Sequence, residues 1–377
     1  MSSPPKRTEF YLFGHQISHS ASPAFHNEIF SALGLSQHRY QLHDTKHPQN
    51  DPNSRMIELI RRDDFGGASV TMYVQYGEVL SLINATSPKP IKVEAMKHVD
   101  NIAGEAKEIG SINTIVVESI DKNGRPVLLG CNTDWIGMYK SLLLALPISQ
   151  QALKAPFSPS SSPSPKSGFI IGGGGTTRAA VVALSRLQIS PIFLINRDPT
   201  ETAVMIKSFP QYDLRALDHV DQWSEEWVER GVVGVGAIPS LEPVTEGEKN
   251  VYTVARKVFG SKPTGQVGQR TFLEMCYKPR KTIMYNIAVD AGWYGVQGVE
   301  SMIQQGYEQS RAWLLSSAAS PFQGQRKELG EVIEHRAAAF VRGMEDIEPV
   351  GQDSKVTSPS SVKLAPQTGA RFGQARL

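Results

Sequence analysis

Short apolar runs closed by glycine alternate along this chain with longer stretches that carry an apolar residue every three or four positions. EFYLFG, Glu9 to Gly14, is an apolar run ended by glycine, the pattern of a buried strand. FHNEIFSALGL follows as a helix, with Phe25, Ile29, Phe30 and Leu33 near one face and Gly34 as its stop. FGGASVTM predicts a second short strand, INTIVVE with PVLLGCN a hairpin, and DWIGMYKSLLLAL an amphipathic helix. GFIIGGGGTTRAAVVALSRL and PIFLINRD then read as strand, glycine turn, helix and strand, a βαβ unit that requires a parallel sheet. GVESMIQQGYEQSRAWLL is a further amphipathic helix, and no internal repeat is visible.

Three stretches interrupt the pattern. APFSPSSSPSPKSG, Ala155 to Gly168, scatters prolines among serines and predicts a solvated loop. Leu241 to Gln269 is polar and rich in turn formers, which predicts an insertion. Pro349 to Leu377 has few large apolar residues and predicts a disordered tail.

Composition narrows the class. A length of 377 residues suits two domains, at roughly 100–200 residues each. Lys and Arg number 39 against 37 Asp and Glu, so no global field recruits nucleic acid or an anionic membrane. Cys131 and Cys276 are too few for a disulfide framework or a zinc cluster, so no metal is expected and a reduced compartment fits. MSSPPKRTEF lacks an apolar leader core, and no run approaches the ~18 apolar residues of a membrane span. A cytoplasmic location is the expectation.

The glycine turn carries the clearest chemistry. In IIGGGGTTR a strand runs into Gly172, Gly174 and Gly175, and Thr176 opens a helix. Glycines there let the backbone turn sharply and approach a pyrophosphate, whose charge the helix N-terminus favours. Thr177 occupies the third glycine position of the dinucleotide fingerprint, and a purely structural turn is the competing reading. After the second strand stand Asn196 and Arg197, and an arginine there can pair with the 2′-phosphate of NADP. Asp198 follows and could instead bind a ribose hydroxyl, which leaves NAD as the alternative.

GHQISHSASPAFHN, Gly14 to Asn27, resembles the start of the shikimate and quinate dehydrogenases, with their serine-x-serine pair ahead of Pro and His-Asn. GASVTM, IGSINTIVV, CNTDWIGM, GGGGTTRAA, INRD, EMCYKP and GVESMIQQG resemble the next family blocks, in family order, so the likeness runs from about Phe10 to Trp313. It is similar to the fungal type with a single function. The resemblance implies an α/β fold of two domains, an N-terminal substrate-binding domain and a C-terminal Rossmann NAD(P)-binding domain. The implied boundaries are 9–128 for the first and 129–298 for the second, with helices of 299–345 returning to the first.

It also implies roles. Ser20 and Ser22 would hold the substrate carboxylate, although by themselves they read equally as a helix cap or serine turn before Pro23. Thr71, Asn113, Asp134 and Gln305 would surround the ring hydroxyls, Tyr277 would lie near the carboxylate, and Gly298 would begin a helix near the nicotinamide. The substrate would be shikimate or quinate, the protein a monomer or homodimer.

The family's catalytic lysine stands two residues after a proline that follows the V-T-x strand end, paired with the counterpart of Asp134. Read without a gap, Gln75 takes the lysine's place and cannot titrate. With Tyr73 to Lys89 treated as an insertion the sequence becomes V-T-M-P-I-K, and VEAMKHVDNIAGEAKEIGSI then spans the family's interval from Lys92 to Asn113. Lys92 is therefore the expected acid/base with Asp134. The insertion beside it keeps a second class open, a catalytically impaired homologue that binds shikimate or quinate as a regulator.

Overall fold

The computed structural model describes residues 7–15, 17–18, 20–45, 55–73, 91–146, 167–228, 232–262, 270–322 and 324–346. Two six-stranded sheets organise them. The first contains β1 (Glu9–His15), β2 (Arg39–Asp44), β3 (Phe65–Tyr73), β4 (Asn101–Ile102), β5 (Thr114–Ile120) and β6 (Pro126–Cys131) in the order β2-β1-β3-β5-β6-β4. β1 runs parallel to β2 and β3, while β5 is antiparallel to β3 and β6, which realises the expected hairpin.

Side-chain alternation makes this sheet two-sided. Phe10 and Leu12 of β1 join a core with α1 (Ser22–Ala32) and the late helices, whereas Tyr11 and Phe13 face a second core under α2 (Arg55–Leu59), α3 (Ile91–Glu94) and α4 (Gly104–Ile109). The first helix begins three residues before the apolar pattern suggests. Pro23 lies in its first turn, where a fixed φ and a missing N–H cost nothing.

The second sheet is parallel throughout: β7 (Ser167–Ile171), β8 (Ile192–Ile195), β9 (Leu214–Ala216), β10 (Val232–Gly236), β11 (Thr271–Glu274) and β12 (Tyr294–Val296), ordered β12-β11-β10-β7-β8-β9. Its central strands are buried on both faces, which is why they read as continuous apolar runs. Ile170, Leu194, Val233 and Leu273 point to one core, Phe169, Phe193, Val232 and Phe272 to the other. This is the doubly wound arrangement of a Rossmann domain.

Helix α5 (Asp134–Ala145) packs between α6 (Gly175–Arg186) of the second sheet and α10 (Gly298–Arg311). α10 continues into Trp313, which donates to the Ile115 carbonyl (3.0 Å) and covers Gly67, where a Cβ would come within 2.4 Å of the indole. α11 (Glu331–Arg342) lies against α1.

One expectation needs correction. Leu241–Gln269 is not a polar insertion, because α8 (Glu246–Gly260) occupies most of it. Thr245 accepts from the Glu248 N–H while Glu248 accepts from the Thr245 N–H, a capping box that starts the helix. Val251, Tyr252, Val254, Ala255, Val258 and Phe259 form its buried face. The polar positions are its solvent side. Two further short helices, α7 (Pro199–Ser208) and α9 (Ile283–Asp290), complete the second domain. The Pro/Ser stretch before Ser167, residues 74–90 and the tail Pro349–Leu377 lie outside the described residues. Among the described residues no helix is long and apolar enough to cross a membrane.

Two buried titratable groups oppose each other in their effect on stability. His26 Nε2 faces Gln309 Oε1 (3.2 Å), so it carries the proton, and Nδ1 accepts from Ser310 (2.9 Å). Burial lowers its pKa from 6.5 to about 3. Glu274 accepts from the Thr282 hydroxyl (2.7 Å) and the Cys276 N–H (3.1 Å), and burial raises its pKa from 4.5 to about 7. Below 6.5 the unfolded chain takes up a proton that folded His26 refuses, so His26 makes stability fall on acidification down to about 3. Above 4.5 the unfolded chain releases a proton that folded Glu274 keeps, so Glu274 makes stability fall as pH rises to about 7. Between 4.5 and 6.5 the two slopes cancel. His26→Gln should therefore shift the stability–pH slope there by about −1.4 kcal/mol per unit relative to wild type, and Glu274→Gln by a similar positive amount. Urea midpoints across this range test both signs; an unchanged slope in either variant refutes its assignment.

Candidate active site

Strand ends and helix starts converge on one small cavity between α10 and the carboxyl edge of the first sheet. Ser69, Val70 and Thr71 end β3 along its wall, and the Val70 N–H is held by the Asn113 carbonyl (2.8 Å). α3 resumes the described chain at Ile91 and presents Lys92, whose own carbonyl accepts from the Ile112 N–H (3.0 Å). Asp134 is the first residue of α5, where the helix dipole favours a carboxylate.

Lys92 Nζ and the Asp134 carboxylate form an ion pair at 6% and 5% exposure. A buried pair survives only if the remaining lone pairs are hydrogen-bonded. Asn113 meets that requirement. Its amide donates to Asp134 Oδ1 (2.8 Å), Thr133 Oγ1 (3.0 Å) and Gln305 Oε1 (3.2 Å), and its oxygen accepts from the Thr133 N–H (2.7 Å) and the Thr114 hydroxyl (2.8 Å). The Asp134 N–H in turn donates to Asn132 Oδ1 (3.0 Å).

Across the cavity stand Ser20, Ser22 and Tyr277. The cap of α1 is Ala21, with no side-chain cap, while Ser20 Oγ accepts from the Ser22 N–H (3.2 Å) and donates to Ser22 Oγ (3.2 Å). The serine turn is therefore real, and it aims both hydroxyls into the cavity. All eight expected catalytic and substrate residues (Ser20, Ser22, Thr71, Lys92, Asn113, Asp134, Tyr277, Gln305) line this one space of about 70 Å³. A larger cavity of about 400 Å³ beside Leu144, Tyr285, Tyr294 and Glu300 shares none of them.

Sequence reasoning missed His26, Ser69, Met302 and Gln309, which also line the cavity. Gln309 was within reach of it: it follows Gln305 by one helical turn and so shares its face. His26 and Ser69 stood inside quoted motifs without a role.

The glycine turn fits a dinucleotide. Gly172 has φ +132, which side chains rarely adopt, and a Cβ on Gly173 would meet Asn196 Nδ2 at 2.4 Å. α6 begins at Gly175 with no side-chain cap, and a helix N-terminus favours the negative charge of a phosphate. Gly298 opens α10 where a Cβ would stand 2.6 Å from the Glu274 carbonyl, so only glycine lets helix and turn approach. Asn196 accepts from the Arg197 N–H (2.9 Å) and donates to Glu201 (3.2 Å), Arg197 donates to Glu248 (2.9 Å), and Asp198 caps α7 by accepting from the Thr200 N–H (2.8 Å).

Residues 12–115 match the family described as the shikimate dehydrogenase substrate binding domain. Among solved structures, the dehydroquinate dehydratase and shikimate dehydrogenase of S. pombe is 29% identical, with a TM-score of 0.60 over 87% of this chain and 52% of its own. Residues 12–115 thus resemble the substrate-binding domain of the shikimate dehydrogenases, and the whole chain is similar to them in fold. It spans about half the length of the S. pombe protein. The shikimate 5-dehydrogenase of Thermus thermophilus, solved in complex with NADP(H) and shikimate, is 24% identical, with a TM-score of 0.55 over 88% of this chain and 99% of its own. The Aquifex aeolicus shikimate dehydrogenase is 21% identical, with a TM-score of 0.60 over 88% and 97%. At these identities the likeness is one of fold.

The cavity is built on mutual dependence between Lys92 and Asp134. Removing either charge leaves the other buried, so Lys92→Met and Asp134→Asn should each cost about 3–5 kcal/mol. Lys92→Met with Asp134→Asn should cost clearly less than the sum of the singles. Denaturant unfolding of the four proteins measures the coupling, and additive losses would show that the pair is not coupled.

Proposed function

We propose that the protein catalyses the reversible NADP-dependent oxidation of shikimate, or of quinate, at a ring hydroxyl. The observation that carries this reading is the buried Lys92–Asp134 pair in a cavity whose other polar side chains, among the described residues, are neutral hydrogen-bonding groups. Neutral donors and acceptors suit a polyol, and Ser20 with Ser22 offers two hydroxyls to a carboxylate. A nicotinamide dinucleotide bound at the glycine turn supplies the hydride acceptor. As the free amine, Lys92 takes the hydroxyl proton while the C–H bond gives up its hydride, and in the reverse direction the ammonium so formed gives its proton to the oxygen of the carbonyl being reduced. Asp134 holds the ammonium in place, and Asn113 fixes Asp134.

NADP is preferred in this reading because Arg197 stands where a 2′-phosphate would lie, with NAD as the alternative. The division of labour follows the two sheets, the first for substrate and the second for cofactor, with the residues after Gly298 returning to the substrate side. Cytoplasmic location accompanies this reading. The competing reading, a regulator that binds without turnover, draws on the stretch Tyr73–Lys89 next to Lys92. Tyr73 itself ends β3, paired with His15, and the remainder of the stretch lies outside the described residues.

Two assays test the proposal. With shikimate and NADP, a version lacking Tyr73–Lys89 should be at least as active as the full chain, and there Lys92→Met should lower kcat by about 10²–10⁴-fold with substrate binding kept. Binding without turnover in both forms would favour the regulator; a deletion that abolishes brisk turnover would make the stretch a working loop. Arg197→Ala should raise the KM for NADP by about tenfold and leave that for NAD nearly unchanged. Equal effects on both would remove Arg197 as the phosphate reader.

A further inference from the structure

At the serine end of the cavity, one hydroxyl in its wall and one behind it are satisfied by nothing among the described residues. Tyr40 Oη and Ser69 Oγ are both buried without a hydrogen-bond partner, on residues 2% and 4% exposed. Buried polar groups are paired in nearly all folded proteins, so two orphans side by side call for an explanation. Their placement supplies one. Ser69 lines the cavity together with Ser20, Ser22 and Tyr277. Tyr40, on β2, turns its hydroxyl towards Ser69 and Ser22, with Tyr277 nearby, without reaching hydrogen-bond geometry to either serine.

The phenol is held rigidly. Its ring stacks on His26 (4.5 Å between centroids, 28° between planes) and tilts against Trp313 (5.8 Å). Burial raises its pKa, so the proton stays on the oxygen and the group is a donor. What is missing is an acceptor. A carboxylate has about four lone-pair sites, and Ser20 and Ser22 can meet only part of them. Among the described residues the one cation lining the cavity, Lys92, is matched by Asp134.

We propose that Tyr40 and Ser69 are ligand-binding residues, completing with Ser20 and Ser22 a cradle of four neutral hydroxyls for the carboxylate of the ring acid. The proposal rests on the reading of this cavity as the site for shikimate or quinate. It adds two hydroxyl donors for the carboxylate, the group common to both acids.

A structural hydroxyl and a ligand-binding one behave oppositely on removal. Deleting an orphan relieves a cost of burial in the free protein, whereas deleting a ligand contact weakens binding. Tyr40→Phe and Ser69→Ala in the full chain should each weaken calorimetric binding of both shikimate and quinate by about tenfold. The ligand-free Tm should stay level or rise, and NADP binding should not change. Unchanged affinity in both variants overturns the proposal. So does a lowered Tm with parallel loss of both ligands, which would mark a packing role, and so does an effect confined to one acid, which would point away from the carboxylate. Wild-type protein that binds neither acid would defeat the cavity reading and this inference together. Binding without turnover would defeat only the catalytic reading.

Discussion

A lysine and an aspartate taken out of water together form the interaction on which the remaining architecture depends. Each alone would be costly to bury, and together they are tolerable only with every spare lone pair engaged. That condition reaches outward from Lys92 and Asp134. Asn113 must lie opposite Asp134, which sets the lead-in to β5. Thr133 must cap Asn113, which sets the turn after β6, and Gln305 must come close enough to share the Asn113 amide. One ion pair therefore fixes the relative placement of a strand end, a helix start and a helix from the far end of the chain.

The last of these placements depends on a small residue. A Cβ on Gly137 would meet the Ser301 carbonyl at 2.6 Å and the Gln305 Cβ at 3.0 Å. With glycine there, α5 and α10 approach closely enough for Gln305 to reach Asn113. The other end of α10 is set by Gly298 against the 274–276 turn, and that turn carries Tyr277 into the cavity. Arg280, a few residues on, donates to the carbonyls of Val341 (3.1 Å), Arg342 (2.7 Å) and Met344 (2.6 Å) at the end of α11. The chain from Glu274 to Arg280 is thus pinned to the second sheet at one end and to the first domain's helices at the other.

Local pattern carried much of this. The strand at Glu9, the hairpin of β5 and β6, α5 from Asp134 and the βαβ unit around Gly172 each follow from apolar period and punctuation, and the structure has them. Lys92 was legible only through spacing, because its neighbours before Ile91 break the strand pattern. α8 was legible and was misread: Thr245 and Glu248 spell a capping box, and the apolar positions from Val251 to Phe259 keep helical spacing, but the polar outer face hid them. Tyr40 and Ser69 were not legible at all. That a hydroxyl is buried and lacks a partner is a fact of tertiary packing, and neither residue's local sequence announces it.

The same contrast applies at the cofactor end. An Asn-Arg pair after the second strand suggests a phosphate reader, yet the folded loop pairs that guanidinium with Glu248 and carries Asp198 and Glu201 within a few residues of it. Glu248 is fixed by its capping box, which with Arg197 holds it firmly ionised, Asp198 is committed to capping α7, and Glu201 leans on Asn196 above the glycine turn. A 2′-phosphate would have to share Arg197 with Glu248 and accept Glu201 as a neighbour, whereas a 2′-hydroxyl could donate to either acid. Two like charges about 7 Å apart at an effective dielectric of 20 to 80 repel by roughly 0.6–2.4 kcal/mol, which is comparable to one charge-assisted hydrogen bond of about 1.5–3 kcal/mol. Arg197 alone therefore does not decide the cofactor. Its advantage is set against carboxylates that follow it in sequence, and the balance belongs to the loop as a whole.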